Sequence, residues 1–444
     1  MNTLNLLTKF IDFEKKYNMF NLKTDNGIYW WDIARFSIYE ELNNTFIIKD
    51  IGVQHVQNKY NLFFIFTTML KDTLYLSQSI FAKKKFFFFL TSRSKDKFGR
   101  HFDTVSSVYL KTLPSEDIFY LETIFDAKTD YPSFHKIFLK IMKIFFKSKN
   151  HNINFEVNKL LNETFGTNID FYTVIQNDLN NYCVEYKYYK KLLELIQPDY
   201  CFVVQNGIQK GLFSAANDLN IKSIELQHGQ INLFNILYSY SNEIDYSHLN
   251  YFPKVLFTYS EYWNKTNYPV AEKISMGLEN NMNSKNVKTS NDVAFIFASM
   301  YTETLLIFVK ELAPKFEHKI YIKLHPNQKN EIQYIKQELK DNKNIEIIFI
   351  EKTMDEIFSL VSSIILIQST TIYEALQKEK KVFLYKKQDY DTHVDVFENQ
   401  NVYLIENVDE FLLHKDKPLK AQNKINFFDS FDQNKFASYI KEMK

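Results

Sequence analysis

The chain has 444 residues, and its 54 basic and 53 acidic side chains leave a formal net charge of +1 at pH 7. This balance argues against a generalised nucleic-acid-binding protein, which needs a basic surface. Only eight glycines occur, where average usage would give roughly thirty, and neither G-x-x-x-x-G-K-[ST] nor G-x-G-x-x-G is present. The sequence therefore disfavours P-loop phosphate binding and the standard dinucleotide-binding fingerprint.

The two cysteines, Cys183 and Cys201, show no zinc-site spacing, which is typical of a reduced cytoplasmic protein without a structural metal. Charged residues interrupt the first twenty positions, so we expect neither a signal peptide nor a membrane anchor there. The apolar runs elsewhere are cut by lysines before they reach the ~20 residues that a membrane span needs. We predict a cytoplasmic location.

The first 200 residues predict few elements. Residues 20–31 indicate a hairpin around an Asp-Asn-Gly turn, and a helix over 32–43 follows. Residues 86–91 predict a buried strand, and residues 173–196 predict one long helix.

Residues 81–150 carry 14 basic and 7 acidic side chains, so the rest of the chain is net acidic. Four lysines recur there at helical spacing with apolar residues between them: Lys136, Lys140, Lys143 and Lys147. A basic amphipathic helix of this kind can lie on an anionic lipid surface. We therefore predict contact with the inner face of the cytoplasmic membrane through residues 81–150. The alternative is an ordinary surface helix with its lysines outward.

From about residue 200, strands alternate with helices, as in a parallel α/β fold. The predicted strands are 200–205, 222–227, 255–259, 273–276, 293–298, 319–324, 345–350, 364–367, 382–385 and 402–405. Residues 278–291 have no apolar run and are rich in Asn, Ser and Lys, so we interpret them as a linker. The pattern predicts an N-terminal Rossmann-like domain over 1–277, a second over 292–406 and a C-terminal helical segment over 407–444. Ligands of such folds bind beyond the carboxyl ends of the strands, here in a cleft between the two domains.

Three segments place polar groups at the carboxyl end of a predicted strand: 226–230, 323–327 and 367–371. In the last of these a strand runs into Ser369 and Thr370, and either residue can cap the helix that follows. The N–H groups and hydroxyls at a helix N-terminus can bind an anion. We therefore predict a phosphate site that needs no glycine, with a purely structural cap as the alternative.

Two histidines complete the pattern. Pro326 ends the strand at His325, and this histidine can donate a hydrogen bond to a phosphate oxygen or act as a general acid. His228 is followed by Gly229, for which we predict a positive-φ turn that lets the imidazole project into the cleft. Because imidazole titrates near neutrality, His228 is the candidate general base for an acceptor hydroxyl. A structural role is the alternative for both histidines.

The H-G, H-P and S-T segments resemble, in this order, those of GT-B glycosyltransferases and CDP-glycerol-type glycerophosphotransferases of bacterial surface-polymer synthesis. The resemblance covers roughly residues 200–380. It implies a nucleotide-binding second domain and an acceptor-binding first domain. The roles implied are a catalytic base at His228, donor-phosphate contacts at His325, Ser369 and Thr370, and a ribose contact at Glu374.

Residues 16–35 are similar to the opening of many capsule and lipopolysaccharide glycosyltransferases. On the acceptor side the resemblance implies contacts from Gln227, Gly229, Trp31 and Arg35, although a core and salt-bridge role is open for the last two. The segment Q-H-G-Q-I replaces the W-H-G-T-P typical of the glycerophosphate polymerases, so the acceptor side can differ.

The function expected from this resemblance is a metal-independent glycosyltransferase. It would need no bound cofactor, and would move a sugar from a nucleotide-activated donor to a glycan or lipid-linked glycan of capsule or lipopolysaccharide. Three alternatives are open: transfer of a polyol phosphate, a sugar-nucleotide epimerase of the same architecture, and a noncatalytic glycan-binding partner of a polymerase complex. Asp389 and Asp391 also form a D-x-D pair, for which a metal role is a minor alternative.

Overall fold

A computed structural model describes residues 2–47, 62–92, 94–95, 100–123, 139, 142, 151–153, 156–204, 208–279, 290–420 and 425–442. The chain divides into two compact units. The first unit comprises residues 6–279 and 431–444, and the second unit comprises residues 1–5 and 280–430.

The strands of the described residues are, in chain order, β1 (Phe86–Leu90), β2 (Ser94–Lys95), β3 (His101–Phe102), β4 (Ile118–Glu122), β5 (Tyr200–Val203), β6 (Lys222–Leu226), β7 (Val255–Thr258), β8 (Glu272–Ser275), β9 (Val293–Ile296), β10 (Ile320–Lys323), β11 (Ile345–Ile348), β12 (Ser363–Leu366), β13 (Lys381–Tyr385) and β14 (Val402–Ile405).

The α-helices are α1 (Thr3–Lys16), α2 (Trp31–Phe46), α3 (Leu62–Ala82), α4 (Ser107–Leu110), α5 (Glu156–Phe165), α6 (Phe171–Ile196), α7 (Lys210–Asp218), α8 (Thr302–Leu312), α9 (Ile332–Glu338), α10 (Met354–Leu360), α11 (Thr371–Gln377), α12 (Val408–His414) and α13 (Gln433–Glu442). Short 3₁₀ helices cover Met19–Asn21, Ser115–Asp117, Glu261–Lys265, Ser299–Tyr301, Ala313–Lys315, Pro326–Glu331 and Tyr390–Val396.

In the described part of the first unit, six parallel strands form a sheet in the order β4-β1-β5-β6-β7-β8. Strand β1 reads FFFFL and is buried throughout, as expected for a parallel sheet that is covered on both faces. Side chains alternate along a strand, so Phe86 and Phe88 enter one core while Phe87 and Phe89 enter the other. The second core also takes side chains from α6 and α7.

In the described part of the second unit, six parallel strands follow the order β11-β10-β9-β12-β13-β14. The first strand of this sheet in chain order, β9, lies in its middle. Strands β10 and β11 follow on one side of β9, and β12, β13 and β14 follow on the other. This is the strand order of a Rossmann fold, and its switch point lies between β9 and β12. Strands β9, β12 and β13 are buried runs of the kind that parallel sheets require.

The predicted α/β class with two Rossmann-like units is confirmed by these two sheets. The division of the chain differs from the prediction in two places. Helix α13 packs on the first unit, where Phe436, Tyr439 and Ile440 join the core that contains Phe86. The segment predicted over 407–444 is therefore shared between the units, because α12 belongs to the second unit. The first five residues also belong to the second unit, whereas the remainder of α1 belongs to the first.

Most of the predicted linker, residues 280–289, lies outside the described residues. The same holds for Lys136, Lys140, Lys143 and Lys147 of the predicted basic helix. From that segment Leu139 and Met142 are described, and both pack against the core between the first sheet and α6. Among the described helices, none combines the length and the apolar character that crossing a membrane demands.

Candidate functional site

Three loops surround the switch point at the carboxyl edge of the second unit's sheet. They follow β9, β10 and β12, and the loop after β9 lies between the other two because β9 pairs with both β10 and β12. Neighbouring strands lie ~4.8 Å apart, so the ends of β10 and β12 are separated by roughly 10 Å. His325 follows β10 and Ser369 follows β12. The fold therefore brings these two predicted phosphate contacts to one edge of one sheet.

His325 is held by a capping box at the start of the 3₁₀ helix Pro326–Glu331. Its N–H donates to Gln328 Oε1 at 2.8 Å, and its ring Nδ1 accepts the N–H of Asn327 at 3.2 Å. Because Nδ1 accepts, the neutral imidazole carries its proton on Nε2. The residue is exposed, but partial burial of the ring lowers the pKa of His325 below its usual value. The ring is thus a neutral Nε2–H donor at pH 7, as a hydrogen bond to a phosphate oxygen requires.

The loop from Ser369 to Thr371 is ordered by its own hydroxyls. Ser369 Oγ accepts the N–H of Thr371 at 3.2 Å and donates to Thr371 Oγ1 at 3.0 Å. Thr370 occupies the N-cap position of α11 without a side-chain capping bond, and it is exposed. The N–H groups of Ser369 and Thr371 already have partners within the chain. What this loop can offer a ligand is therefore chiefly the Thr370 residue and the hydroxyls, rather than the full row of N–H groups that was predicted.

A histidine that the sequence did not single out fixes this loop. The fully buried His393 accepts the N–H of Ser369 through Nε2 at 3.1 Å. Burial lowers the pKa of His393 to about 3, so the ring is neutral and can accept. Its Nδ1 faces the hydroxyl of Tyr373 at 3.5 Å. His393 is thus a positioning residue for the Ser369 loop.

Tyr301, in the central loop, contacts the loops that follow β12 and β13. Its hydroxyl lies 2.7 Å from Asp389 Oδ2 and 3.2 Å from Gln368 Oε1. Burial and the Asp389 charge raise the pKa of Tyr301, so the phenol keeps its proton for these bonds. Asp389 itself adopts a positive φ of 66°, which aspartate tolerates better than most residues do.

The D-x-D pair has a structural use that explains its spacing. Asp391 Oδ2 accepts the N–H of Leu4 at 3.1 Å, and Asp389 accepts the hydroxyl of Thr3. Both aspartates therefore hold the first turn of α1, where carboxylates satisfy open N–H groups and suit the helix dipole. Within the described residues, no group of three or more His, Cys, Asp or Glu side chains could hold a metal ion.

Glu374, the predicted ribose contact, lies one turn into α11. Burial, strengthened by Asp355 and opposed by Lys378, raises the pKa of Glu374 to about 7. Lys378 Nζ lies 2.8 Å from Asp355 Oδ1, so the two residues form an ion pair beside it. A carboxyl that titrates near neutrality can both donate and accept, which suits a pair of ribose hydroxyls. The ribose contact itself stays a prediction.

In the first unit, His228 follows β6 at the carboxyl edge of the sheet and is half-buried. Gln227 is 1% exposed and holds the turn: its Nε2 donates to the carbonyl of Gly229 at 2.8 Å, and its Oε1 accepts the N–H of Tyr259 at 2.7 Å. Gln227 therefore positions the loop and cannot itself reach an acceptor. The described glycines with positive φ are Gly27, Gly166 and Gly277, so the predicted positive-φ turn at Gly229 is wrong.

Trp31 and Arg35 do not present their polar groups to an acceptor. Trp31 is 1% exposed, and its indole N–H donates to Glu14 Oε1 at 2.7 Å. Arg35 forms a buried ion pair with Glu14, with Nε 2.6 Å from Oε1, and donates to the carbonyls of Ile236 and Ser239. Their polar groups are engaged within the chain, as in the core and salt-bridge role that the sequence left open, although Arg35 also lines a cavity of this unit. Because residues 236–239 follow His228 in the chain, Arg35 also anchors the loop that begins at His228.

No protein-family model matches this chain, and no curated protein matches it. Solved structures with a similar chain trace do exist. One is the UDP-GlcNAc 2-epimerase of Methanocaldococcus jannaschii in complex with UDP-GlcNAc and UDP, at 13% identity and a TM-score of 0.47, covering 81% of this chain and 99% of that one. The Neisseria meningitidis UDP-GlcNAc 2-epimerase bound to UDP-GlcNAc has 14% identity, the same coverages and a TM-score of 0.46.

The MurG of Acinetobacter baumannii is similar at 10% identity and a TM-score of 0.40, over 71% of this chain and 83% of that one. All of these TM-scores are below 0.5. At that level the likenesses carry no conclusion about the chemistry of this chain.

Sequence reasoning missed Tyr301 and His393 at this site, and for Asp389 it offered only a metal role. Each reaches the switch point from a loop, and His393 and Asp389 come from the loop after β13, one strand beyond the predicted motif. The predicted strands offered a signal for these residues. In a parallel sheet the loops that follow neighbouring strands all begin at the carboxyl edge, so the residues after β9 and β13 could have been included in the site.

Proposed function

We propose that this chain is a metal-independent enzyme that acts on a nucleotide-activated sugar and transfers the sugar to a glycan or lipid-linked glycan of a bacterial surface polysaccharide. The observation that carries the proposal is that His325 and the Ser369–Thr370 loop lie at the same edge of one sheet, on either side of the switch point. Both supply neutral donors at a place where α/β folds bind ligands. Donors fixed beforehand stabilise the charge that develops on a departing nucleotide.

The first unit would supply the acceptor side of the reaction. His228 lies at the carboxyl edge of its own sheet, on a loop that Gln227 and Arg35 hold in place. A histidine at such an edge can take the proton of an acceptor hydroxyl as the sugar is transferred. Because lipid-linked acceptors are found at the inner face of the cytoplasmic membrane, we place the reaction there, with residues 81–150 as the proposed contact.

Epimerisation of the nucleotide sugar is the second candidate. The first unit holds two buried carboxylates beside the end of β1: Asp103 Oδ2 accepts the N–H of Thr91 at 3.0 Å, and Glu122 Oε1 accepts the N–H of Ser92 at 3.2 Å. Burial raises the pKa of Asp103, although three backbone N–H groups oppose the shift. A pair of carboxyls near a sugar could serve as the acid and base that epimerisation needs.

Calorimetry with CMP, CDP, UDP and GDP tests the shared part of both candidates. We expect one nucleotide to bind, and His325→Ala and Ser369→Ala each to weaken it at least tenfold. His318→Ala is the matched control, because His318 precedes β10 at the opposite edge of the sheet from His325. If no nucleotide binds, or if His325→Ala binds as well as His318→Ala does, the proposal is wrong.

A second assay distinguishes the two candidate functions. Its substrates are sugar nucleotides that carry the same base as the nucleotide that binds in the calorimetry. Transfer predicts nucleotide release that depends on a glycan acceptor and is lost in His228→Ala. Epimerisation predicts, in D₂O, deuterium in the recovered sugar nucleotide without any acceptor. Acceptor-dependent release of CMP from CDP-glycerol, but of no nucleotide from the sugar nucleotides, would instead indicate transfer of a polyol phosphate. Nucleotide binding without turnover would indicate a noncatalytic partner.

A further inference from the structure

The first unit contains a cavity that the nucleotide site does not use. It has a volume of about 200 Å³ and lies where α2, α6 and the N-terminus of α7 meet. Helix α7 follows β5, so this end of the helix lies at the carboxyl edge of the sheet. The volume is roughly that of one monosaccharide unit, below the ~300 Å³ at which pockets for larger ligands begin.

Close packing of two helices shapes the cavity. A Cβ at Gly211 would lie 2.9 Å from Glu185 Cβ and 2.9 Å from the backbone N of Tyr186. Only glycine therefore lets the first turn of α7 approach α6 this closely. Lys210, at the start of α7, lines the cavity together with side chains of α6.

A buried ion pair forms part of this wall. Lys210 Nζ lies 2.5 Å from Asp32 Oδ2, and the two side chains are 10% and 1% exposed. Beyond this ion pair, neither Lys210 Nζ nor Asp32 Oδ2 has a hydrogen-bond partner among the described residues. The other oxygen of Asp32 accepts the hydroxyl of Tyr240 at 2.8 Å.

The chemistry of the pair selects one class of ligand. The negative charge of Asp32 would repel an anion, and the positive charge of Lys210 would repel a protonated amine. A hydroxyl group can donate to Asp32 Oδ2 and accept from Lys210 Nζ at the same time. A neutral polyhydroxyl ligand therefore fits this wall better than a charged one.

The side chains that α6 contributes to the cavity suit the rest of such a ligand. Asp178, Asn181, Tyr182 and Glu185 follow one another at helical spacing along α6 and all line the cavity. Carboxylates and an amide oxygen accept hydrogen bonds from hydroxyls. The ring of Tyr182 supplies an apolar surface for the C–H groups of a sugar ring.

We propose that this cavity binds one neutral sugar unit of the glycan acceptor. The proposal rests on the proposed function in that it treats the ligand as part of the acceptor. It also assigns the first unit a sugar-binding site whose residues are distinct from those of the nucleotide site in the second unit.

Saturation-transfer NMR with the full chain tests the proposal. The probes are the methyl glycosides of glucose, galactose, N-acetylglucosamine and N-acetylgalactosamine, with phosphate and putrescine as charged counterparts. We expect at least one glycoside to bind, and Asp178→Ala and the cavity-filling Ser37→Trp each to weaken it at least fivefold. Glu194→Ala, on the same helix but outside the cavity, is expected to bind like the unaltered protein.

Several outcomes would overturn the proposal: no glycoside binds, phosphate or putrescine binds in a way that Ser37→Trp abolishes, or both cavity variants bind the glycoside normally. Circular dichroism checks that each variant folds, and Asp178→Ala keeps the test valid if Ser37→Trp does not fold. The nucleotide titration is run on the same variants. Normal nucleotide binding without glycoside binding overturns this proposal alone, whereas glycoside binding without nucleotide binding overturns the proposed function.

Discussion

His393 works as a fixed hydrogen-bond acceptor, and its burial is what makes it one. A histidine with an ordinary pKa would be partly protonated at mildly acidic pH and would then lose the lone pair that accepts the Ser369 N–H. Full burial keeps the ring neutral far below neutral pH. The loop at the switch point therefore keeps one geometry over the whole physiological range.

This burial predicts a pH dependence of stability. The pKa of His393 is about 3 in the folded chain against 6.5 for an ordinary histidine, so the unfolded state binds the proton first as the pH falls. The contribution of His393 is complete above about pH 6.5 and is lost as the pH falls towards 3. Between pH 7.5 and pH 5 we expect His393 to cost the second unit about 2 kcal/mol of unfolding free energy.

Urea unfolding at the two pH values measures this loss. His393→Gln keeps an acceptor but does not titrate, so its loss of stability should be smaller by that amount. His318→Gln replaces a histidine at the amino edge of the same sheet and should behave like the unaltered chain. An unchanged loss in His393→Gln would refute the assignment.

At the residue scale, the sequence predicts best where a side chain follows a strand directly. His325, Ser369 and His228 lie at carboxyl edges as predicted, because a strand's end fixes the position of the next residue. For Trp31 and Arg35 the sequence left a core role open but could not name their partners, because these lie elsewhere in the chain. The Arg35 guanidinium, for example, bonds to Glu14 and to carbonyls about 200 positions away.

At the scale of elements, the strands are the best predicted feature. Those of the second unit agree with the predicted bounds to within two residues, and β14 matches its predicted bounds. Their apolar runs are short and bounded by polar residues, so length alone separates strand from helix.

The start of α1 gives a prediction at this scale. Asp391 accepts the Leu4 N–H, so Asp391→Ala removes a cap from the first turn, which typically costs about 1 kcal/mol. We expect the Leu4 amide to exchange with solvent about five- to tenfold faster in hydrogen-exchange NMR. Asp416→Ala removes an exposed aspartate of the same unit and should leave this rate unchanged. Equal rates in both variants would show that Asp391 does not cap α1.

The described residues of each unit form hydrophobic cores of their own, and this has a consequence for unfolding. Each unit has its own six-stranded sheet among the described residues, with its own buried cluster. A ligand stabilises only the unit that binds it, by about 2.7 kcal/mol at a hundredfold excess over the dissociation constant. We therefore expect two thermal transitions, of which the bound nucleotide raises one.

Calorimetric scanning with and without the nucleotide measures these transitions, and hydrogen exchange assigns them. The transition that moves should be that of residues 290–420, and it should stay in place in His325→Ala. A single transition that shifts as one, or a shift confined to the first unit, would contradict this picture.

Because α13 packs on the first unit, the order in which the two units can complete their folding during synthesis is fixed. Residues 6–279 leave the ribosome first, but the core that takes Phe436, Tyr439 and Ile440 stays open until the chain is almost finished. The second unit, by contrast, has all of its described strands once residue 405 has emerged. The unit that begins first is therefore completed last. A fragment that ends at residue 279 would expose the apolar surface that α13 covers, so an isolated first unit needs residues 431–444 joined to it.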